Sequence, residues 1–261
     1  MILEQIAADT RLRLEQEKQE ISLQQMIQKA QSLPVSHSFP FEQMLKKPGI
    51  HYICEVKKAS PSRGLIAPDF PYLEIAKEYE AAGAGAISCL TEPKYFLGRK
   101  QYLKEITDTV KIPVLRKDFT VDPYQIYEAK TLGAHVVLLI CALLDTKTLN
   151  TYIQICDSLG LSALVEVHDE QEMASAIAAG ARVIGVNNRN LKDFTVDITN
   201  STRLRGLAPK DTLFVAESGI KTPEDIRTLK EANVNGVLIG ETLMRSPDKR
   251  AMLETLNGSP L

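Results

Sequence analysis

Three short stretches of the chain repeat one pattern: AAGAGAI at residues 81–87, TLGAHVV at residues 131–137 and AAGARVI at residues 178–184. In each stretch a helical ending is followed by a glycine and then by an apolar run. Glycine suits this position because it adopts the left-handed conformation that ends many helices at no steric cost. The repeat predicts turns that lead from helix to strand in a chain of alternating helices and strands.

Eight apolar runs fit this alternation. They are short, mostly β-branched or leucine-rich, and lack the hydrophobic–polar alternation of a half-exposed sheet, as is typical of parallel strands buried on both faces. The runs cover residues 51–56, 86–90, 113–116, 136–140, 163–167, 183–186, 213–216 and 236–239. Amphipathic stretches between them predict helices, among them residues 72–82, 122–132 and 169–179.

Eight strand–helix units within 261 residues predict one α/β domain, the (β/α)8 TIM barrel. A doubly wound open sheet is the main alternative, but dinucleotide binding there favours GxGxxG after the first strand, which KKASPSRG at residues 57–64 lacks. Residues 2–30 predict one or two surface helices, Pro34 and Pro40 interrupt the pattern, and a short helix is predicted over residues 42–46. We therefore expect an N-terminal helical extension, residues 1–47, packed on a barrel formed by residues 48–261.

The amino-acid composition limits the classes of partner that the protein is expected to bind. A net charge of −2 and a pI of about 6.1 argue against a general binder of nucleic acid or of anionic membranes. The sequence shows no signal peptide and no apolar run of membrane-spanning length, so we expect a cytoplasmic protein. It also shows no apolar stripe that would indicate a subunit interface, so we expect a monomer. The cysteines form no CxxC pair and the histidines have no metal-ligand spacing, which predicts buried free thiols and no metal site.

Active sites of such barrels lie at the carboxyl ends of the strands, and here those ends are charged. Glu55 and Lys57 end the first run two residues apart, so both point to one side of the strand, into the barrel mouth if their neighbours pack outward. An incidental ion pair at an exposed strand end is the alternative. Lys117 shares the parity of Leu115 and is expected in the mouth, although three successive charges usually indicate a solvated loop.

Two carboxylates interrupt later apolar strands. Glu166 lies in LVEV and Glu217 ends FVAE, and a buried carboxylate is costly unless it is paired. Convergence of these groups with the two lysines would perturb their pKa values, as acid–base chemistry requires. A structural network of ion pairs that fills the barrel is the alternative.

Other strand ends indicate ligand binding. Asn187 offers an amide and Arg189 a planar fork suited to a carboxylate, whereas Asn188 is expected to stabilise its loop. Glycine turns at Ser218-Gly219 and Gly240-Glu241 follow the last two strands, where barrels frequently bind phosphate through backbone N–H groups.

Two loops complete the predicted mouth. Residues 58–69 form a long loop that would suit a lid. Tyr95 and Phe96 are candidates for an apolar wall beside an aromatic ring, although a lone phenylalanine is as often part of the core.

Seven motifs together resemble the indole-3-glycerol-phosphate synthase family. They are CEVKKASPSRG, TEPKYFLG, VLRKDF, LVEVHD, IGVNNRNL, VAESGI and VLIGETLMR, and they follow the family's order across nearly the whole barrel. The first helical stretch, ILEQIAADTRLRLEQ, also resembles the segment that precedes the family's first strand.

The resemblance implies ring closure of 1-(2-carboxyphenylamino)-1-deoxyribulose 5-phosphate, with loss of carbon dioxide and water, and no metal or organic cofactor. It implies Lys117 as the acid, Lys57 as a second cation or acid, and Glu166 as the base helped by Glu55 and Glu217. Asn187 and Arg189 would bind the anthranilate side and Phe96 would pack on the ring. The residues expected around the phosphate are Ser60, Ser218, Gly219, Gly240 and Glu241.

Two alternatives stay open at this stage. Another phosphate-binding barrel enzyme, such as phosphoribosylanthranilate isomerase, needs one acid–base pair and has no evident use for two lysines and two further carboxylates. A barrel retained only as a binding module would have no reason to keep these charged strand ends.

Overall fold

The computed structural model describes residues 2–190 and 193–258, in which strands and helices alternate. The strands are β1 (His51–Val56), β2 (Ala59–Ser60), β3 (Gly64–Leu65), β4 (Ala86–Leu90), β5 (Val114–Lys117), β6 (Val136–Ile140), β7 (Ser162–Val167), β8 (Val183–Asn187), β9 (Leu213–Glu217) and β10 (Gly236–Ile239). The helices are α1 (Ile2–Glu20), α2 (Leu23–Gln31), α3 (Pro40–Leu45), α4 (Tyr72–Ala81), α5 (Lys100–Thr109), α6 (Pro123–Thr131), α7 (Thr146–Ser158), α8 (Glu170–Ala178), α9 (Thr199–Arg205), α10 (Pro223–Glu231), α11 (Glu241–Arg245) and α12 (Lys249–Leu256).

Eight parallel strands close into a barrel in the order β1-β10-β9-β8-β7-β6-β5-β4. Cys54 of β1 lies opposite Ile87 of β4 on one side and opposite Ile239 of β10 on the other, which closes the ring. The predicted TIM barrel is confirmed, and the alternative of an open doubly wound sheet is wrong. In the loop after β1, β2 and β3 form a two-stranded antiparallel hairpin. None of the helices in the described ranges is long and apolar enough to cross a membrane.

Local sequence signals set the helix ends. The Asp122 side chain accepts a hydrogen bond from the Tyr124 N–H and Pro123 occupies the first turn of α6, while Thr222 opens α10 with a capping box. The glycines of the three repeated turns, Gly83, Gly133 and Gly180, have φ values of 96°, 83° and 83°. The predicted turns therefore end their helices with glycine in the left-handed conformation.

Alternate residues along each strand belong to two different apolar layers. One layer fills the barrel and includes Ile53, Leu115, Leu164 and Leu238. The other lies between the strands and the surrounding helices and includes Cys54 and Val56 of β1, among many others. Side chains of one parity therefore fill the barrel interior and those of the other parity pack against helices, as expected for a parallel barrel.

Helix α3 closes the barrel at the amino ends of the strands. Phe41 and Leu45 are fully buried and belong to the inner apolar layer, and the Glu42 carboxylate accepts hydrogen bonds from Ser162 at the start of β7 and from Arg182 just before β8. The predicted break in the helical pattern is confirmed between α2 and α3, and Pro40 lies at the end of this break. It begins α3, where its missing N–H is not needed.

Helix α1 lies across the carboxyl ends of the strands, at the opposite end of the barrel from α3. Leu3 belongs to the inner apolar layer, and Asp9 accepts hydrogen bonds from Lys94 and Tyr95 in the loop after β4. Near its end, Lys18 pairs with Asp122 at a distance of 2.7 Å. The prediction of a surface helix is therefore only partly right, because the first turns of α1 are covered by the barrel rim.

Candidate active site

A cavity at the carboxyl ends of the strands, here called the mouth, is lined by all thirteen residues for which the family resemblance implies a role. These are Glu55, Lys57, Ser60, Phe96, Lys117, Glu166, Asn187, Arg189, Glu217, Ser218, Gly219, Gly240 and Glu241. They come from seven strands or strand ends and from the loops that follow them, and closure of the barrel is what brings them together.

Lys117 lies at the centre of the charged cluster. Its Nζ donates to Glu166 Oε2 over 3.4 Å and lies 3.7 Å from Glu217 Oε2. Glu166 and Glu217 are 2% and 1% exposed, so these charges interact with little solvent screening. Neither oxygen of Glu217 has a hydrogen-bond partner among the described residues. The cluster is paired, as the cost of burial requires, but it keeps unsatisfied acceptors that face the mouth.

The surroundings separate the pKa values of the two carboxyls. Burial would raise the pKa of Glu166, but the charge of Lys117 and the close contact with His168 outweigh burial and lower that pKa. Burial, together with the negative charge of Glu166, raises the pKa of Glu217. Burial would lower the pKa of Lys117, but Glu166 and Glu217 raise it above that of a free lysine. The mouth therefore holds an ionised carboxylate, a second carboxyl that retains its proton more readily, and an ammonium group.

Glu55 and Lys57 form an ion pair on the neighbouring wall. Glu55 is 4% exposed, which argues against an incidental pair at an exposed strand end. A Cβ atom at position 240 would displace the ends of the Glu55 and Lys57 side chains, so glycine in this turn leaves the ion pair in place.

The two glycine turns lie side by side at one edge of the mouth. Ser218 and Gly219 have positive φ values of 66° and 85°, and Gly240 directly precedes α11. Ser60 reaches the same cavity from the hairpin after β1, and Arg63 of that hairpin pairs with the Glu241 carboxylate at 3.0 Å. This edge offers backbone N–H groups and a cation, which are the groups that bind phosphate in proteins.

Of the three polar residues at the end of β8, two line the mouth and one stabilises the loop. The Asn187 amide donates to Glu166 Oε1 over 3.3 Å and its oxygen accepts the Arg189 N–H. Arg189 lines the mouth and donates to the Phe194 carbonyl, which leaves part of its fork for a ligand. Asn188 is buried and bonds Ser201 and the Ser218 carbonyl, which confirms the prediction that it stabilises its loop.

The apolar wall of the mouth differs from the predicted one. Phe96 lines the cavity and packs on Phe119, with ring centroids 5.9 Å apart. Tyr95 points away and donates its hydroxyl to Asp9, so the prediction that both aromatics form the wall is wrong for Tyr95. Leu3 and Ile6 of α1 form the remaining part of this apolar wall.

The residues on either side of Lys117 face outward into a buried ionic network. Arg116 is 1% exposed and pairs with Glu128 at 2.8 Å and with Asp118 at 3.1 Å, and Asp118 also lies 3.7 Å from Arg13 of α1. The three successive charges are therefore not a solvated loop. They alternate across the barrel wall and fix the strand end that carries Lys117.

His168 is a site residue that the sequence analysis missed. Its Nε2 lies 3.2 Å from Glu166 Oε1 and its Nδ1 lies 2.9 Å from Glu172 Oε2. The signal was present, because His168 follows Glu166 by two residues and so shares its side of the strand. Within the described residues no group of three or more His, Cys, Asp or Glu is arranged to hold a metal ion. Leu191, which ends the IGVNNRNL motif, lies outside the described residues.

A closed barrel whose strand ends carry an acid–base cluster beside two glycine turns defines the class of (β/α)8-barrel enzymes that act on phosphorylated small molecules. The family model described as indole-3-glycerol phosphate synthase matches residues 3–256. The chain belongs to this family. It is 61% identical to the indole-3-glycerol phosphate synthase of Ruminiclostridium cellulolyticum, over 99% of this chain and 100% of that protein. It is 51% identical to the one from Lachnoclostridium phytofermentans, over 98% of each.

Solved structures share the fold at low identity. A 3-hexulose-6-phosphate synthase superposes with a TM-score of 0.65 at 15% identity, covering 80% of this chain and 99% of that one. A thiamine phosphate pyrophosphorylase from Pyrococcus furiosus gives a TM-score of 0.59 at 18% identity, covering 80% and 94%. At these identities the likeness shows the barrel alone.

Proposed function

We propose that the chain closes the indole ring of 1-(2-carboxyphenylamino)-1-deoxyribulose 5-phosphate at this mouth and releases carbon dioxide, water and indole-3-glycerol phosphate. The observation that carries the proposal is the cluster of Lys117 with Glu166 and Glu217, which joins an acid to an ionised base inside a cavity that also has a phosphate-binding edge. Family membership and the names of the relatives support the same reaction.

The bound substrate would span the mouth. The phosphate lies at the edge formed by Ser60, Gly219 and Gly240, where N–H groups are exposed to it. The carboxyphenyl ring lies on Phe96, with its carboxylate near the free part of the Arg189 fork. Ser218 and Glu241 take part through their backbone. This orientation places the ketone and the amine between the two ends, over Lys117 and Glu166.

Ring closure requires a proton on the ketone oxygen while the ring carbon that bears the carboxylate attacks the carbonyl carbon. Lys117 donates that proton, and Glu55 and Glu166 stabilise the positive charge that develops on the ring and its nitrogen. The bond to the carboxylate then breaks, its electron pair restores the aromatic ring, and carbon dioxide leaves.

The second stage removes water. The new hydroxyl leaves with a proton supplied by Lys57, which pairs with Glu55, and Glu166 removes a proton from the adjacent carbon to form the double bond. Two protons are added and one is removed, which balances the loss of a carboxylate as neutral carbon dioxide. Asn187 holds Glu166 in place through its amide. Glu217, whose raised pKa favours the protonated form, donates a hydrogen bond to a substrate hydroxyl. No resident cofactor takes part in the proposed steps.

The extension, residues 1–47, and the barrel, residues 48–261, act as one unit in this proposal, because Leu3 and Ile6 supply part of the mouth. We take the enzyme to be a cytoplasmic monomer, and light scattering coupled to size-exclusion chromatography tests the oligomeric state.

The test is an indole-fluorescence assay of the purified chain with the phosphorylated carboxyphenylamino-deoxyribulose. We expect product with the wild type and a loss of at least about 100-fold in kcat for Glu166→Gln, the size expected for a general base. Glu170→Gln is the matched control, because Glu170 lies on the surface beside Arg203. No product from folded wild-type protein, or equal loss in both variants, would refute the proposal.

A further inference from the structure

His168 occupies a position between the mouth and a second, polar cleft. Glu166, its partner at Nε2, lines the mouth, whereas His168 itself lines the cleft together with Glu172, Asn200 and Arg203. The His168 side chain is 18% exposed. The imidazole therefore contacts the proposed base from the side opposite to Lys117 and the substrate cavity.

The contacts fix the ring at both nitrogens. Nε2 faces Glu166 Oε1 at 3.2 Å, and Nδ1 faces Glu172 Oε2 at 2.9 Å. The same Glu172 oxygen accepts the His168 backbone N–H, and the Asn200 amide donates to the His168 carbonyl. A ring held this way cannot turn without breaking contacts to two carboxylates.

The surrounding charges favour an imidazolium ion. The titratable groups around the ring are Glu166 on its own strand, Glu172 and Asp169 at the start of α8, and Cys141 after β6, while Arg203 lines the cleft farther out. Burial would lower the pKa of His168, but its contacts with Glu166 and Glu172 and the charges of both carboxylates outweigh burial and raise that pKa to about 10. At neutral pH the ring is then an imidazolium whose Nδ1 donates to Glu172, while Nε2 lies in charge contact with Glu166 Oε1 without a hydrogen bond.

The two carboxylate oxygens of Glu166 contact different groups. Oε1 accepts from Asn187 and faces His168, whereas Oε2 faces Lys117 and the cavity. A base needs one lone pair directed at the substrate and a carboxylate that stays ionised between turnovers. Removal of the cation behind Oε1 would leave a buried carboxylate with Lys117 as its remaining close positive charge, and Lys117 is the group that gives up its proton in the reaction.

We propose that His168 is a positioning residue for the base: clamped between Glu166 and Glu172, its imidazolium holds Glu166 ionised and turned so that the other carboxylate oxygen faces the substrate. Outer partners that orient the ligands of catalytic metal ions change activity by about 10–100-fold when they are removed, and we expect a loss on the same scale for a residue that orients a general base. The inference rests on the proposed function, because it assigns His168 its role through Glu166.

The test compares pH profiles of kcat for the wild type, His168→Asn, Glu172→Gln and the control Asn200→Ala, which touches His168 only at its backbone carbonyl. For His168→Asn we expect a fall in kcat of about 10–100-fold at pH 7 and an acid limb moved up by about one pH unit or more, because Glu166 protonates more readily without the cation. Glu172→Gln should move the basic limb down, because His168 loses its second carboxylate. Asn200→Ala should leave both limbs in place.

A readout without turnover separates this inference from the proposed function. Nitrogen-15 NMR of substrate-free protein follows the His168 imidazole, which is assigned by its absence in His168→Asn. A pKa near that of free histidine, or one unchanged in Glu172→Gln, would overturn the clamp even if the wild type makes no indole product. With an active wild type, an acid limb that does not move in His168→Asn, or a loss of kcat that is the same at every pH, would leave His168 a structural residue and overturn the inference.

Discussion

Replacement of Lys117 by methionine should remove two functions at once. Lys117→Met keeps most of the side-chain volume but deletes the cation 3.4 Å from Glu166 Oε2 and 3.7 Å from Glu217 Oε2. Charges 3.4 Å apart interact by about 5 kcal/mol at an effective dielectric constant of about 20, so the loss of Lys117 should raise the pKa of Glu166. Burial, which opposes ionisation of Glu166, would then dominate. The variant should lack its acid and hold part of its base in the protonated form at neutral pH.

The expected loss follows from these two effects. A general acid contributes about 10²–10⁴ in rate, or about 2.7–5.4 kcal/mol, and partial protonation of Glu166 adds to it. We expect kcat of Lys117→Met to fall by about 10⁴ at pH 7 and to recover in part as the pH rises to 9 and Glu166 ionises. Single-turnover indole fluorescence across this range measures both, and differences in substrate affinity do not affect it at saturation.

Lys117→Arg is the matched control, because guanidinium keeps the charge beside Glu166 but does not release its proton at accessible pH. Its kcat should fall by about 10²–10⁴ without recovery at high pH. The reasoning is refuted if Lys117→Met stays within tenfold of the wild type, or if the two variants have the same pH dependence.

Two further predictions concern stability and the cover of the mouth. The folded-state pKa of Glu217 is raised above its ordinary value of 4.5, so the free energy of unfolding of the wild type should fall as the pH rises from about 4.5 through the raised pKa. Glu217→Gln lacks this titration. Its free energy of unfolding should exceed that of the wild type by about 1 kcal/mol or more at pH 9 and should equal it at pH 4. Urea unfolding across this range tests it, and a difference that does not grow with pH contradicts it. Ile6→Ala opens the apolar cover of the mouth at a residue that is 2% exposed, and it should raise KM and destabilise the protein by about 2–5 kcal/mol. Leu12→Ala, on the same helix but 67% exposed, is the control, and equal KM values for the two variants would contradict the role of Ile6.

The fold was largely predictable because each buried strand produces a separate apolar run. Three errors in the predicted strand ends share a cause. Three strands extend one residue beyond their predicted ends, to Lys117, Asn187 and Glu217. An apolar pattern stops at the first polar side chain, whereas the backbone ladder continues for as long as neighbours offer hydrogen-bond partners, and in this barrel it continues into the mouth.

The residues of the candidate site were also predictable, since the charged strand ends converge once a barrel is assumed. The cover supplied by Leu3 and Ile6 was not, because helical spacing shows that a helix has an apolar face without showing which surface that face meets. Tyr95 illustrates the same limit. The type of its side chain was consistent with a wall beside a ring, but Asp9, which lies 86 residues earlier in the chain, binds its hydroxyl instead.

The alternation along β5 constrains how the gene for this chain can change in length. Leu115 and Lys117 face the barrel interior and mouth, while Arg116 and Asp118 hold the ionic network outside the wall. A single-codon insertion before Leu115 would exchange the two rows, placing Arg116 where the ammonium belongs and Leu115 among buried carboxylates. We therefore expect changes of chain length to be tolerated in the surface loops but not within β5.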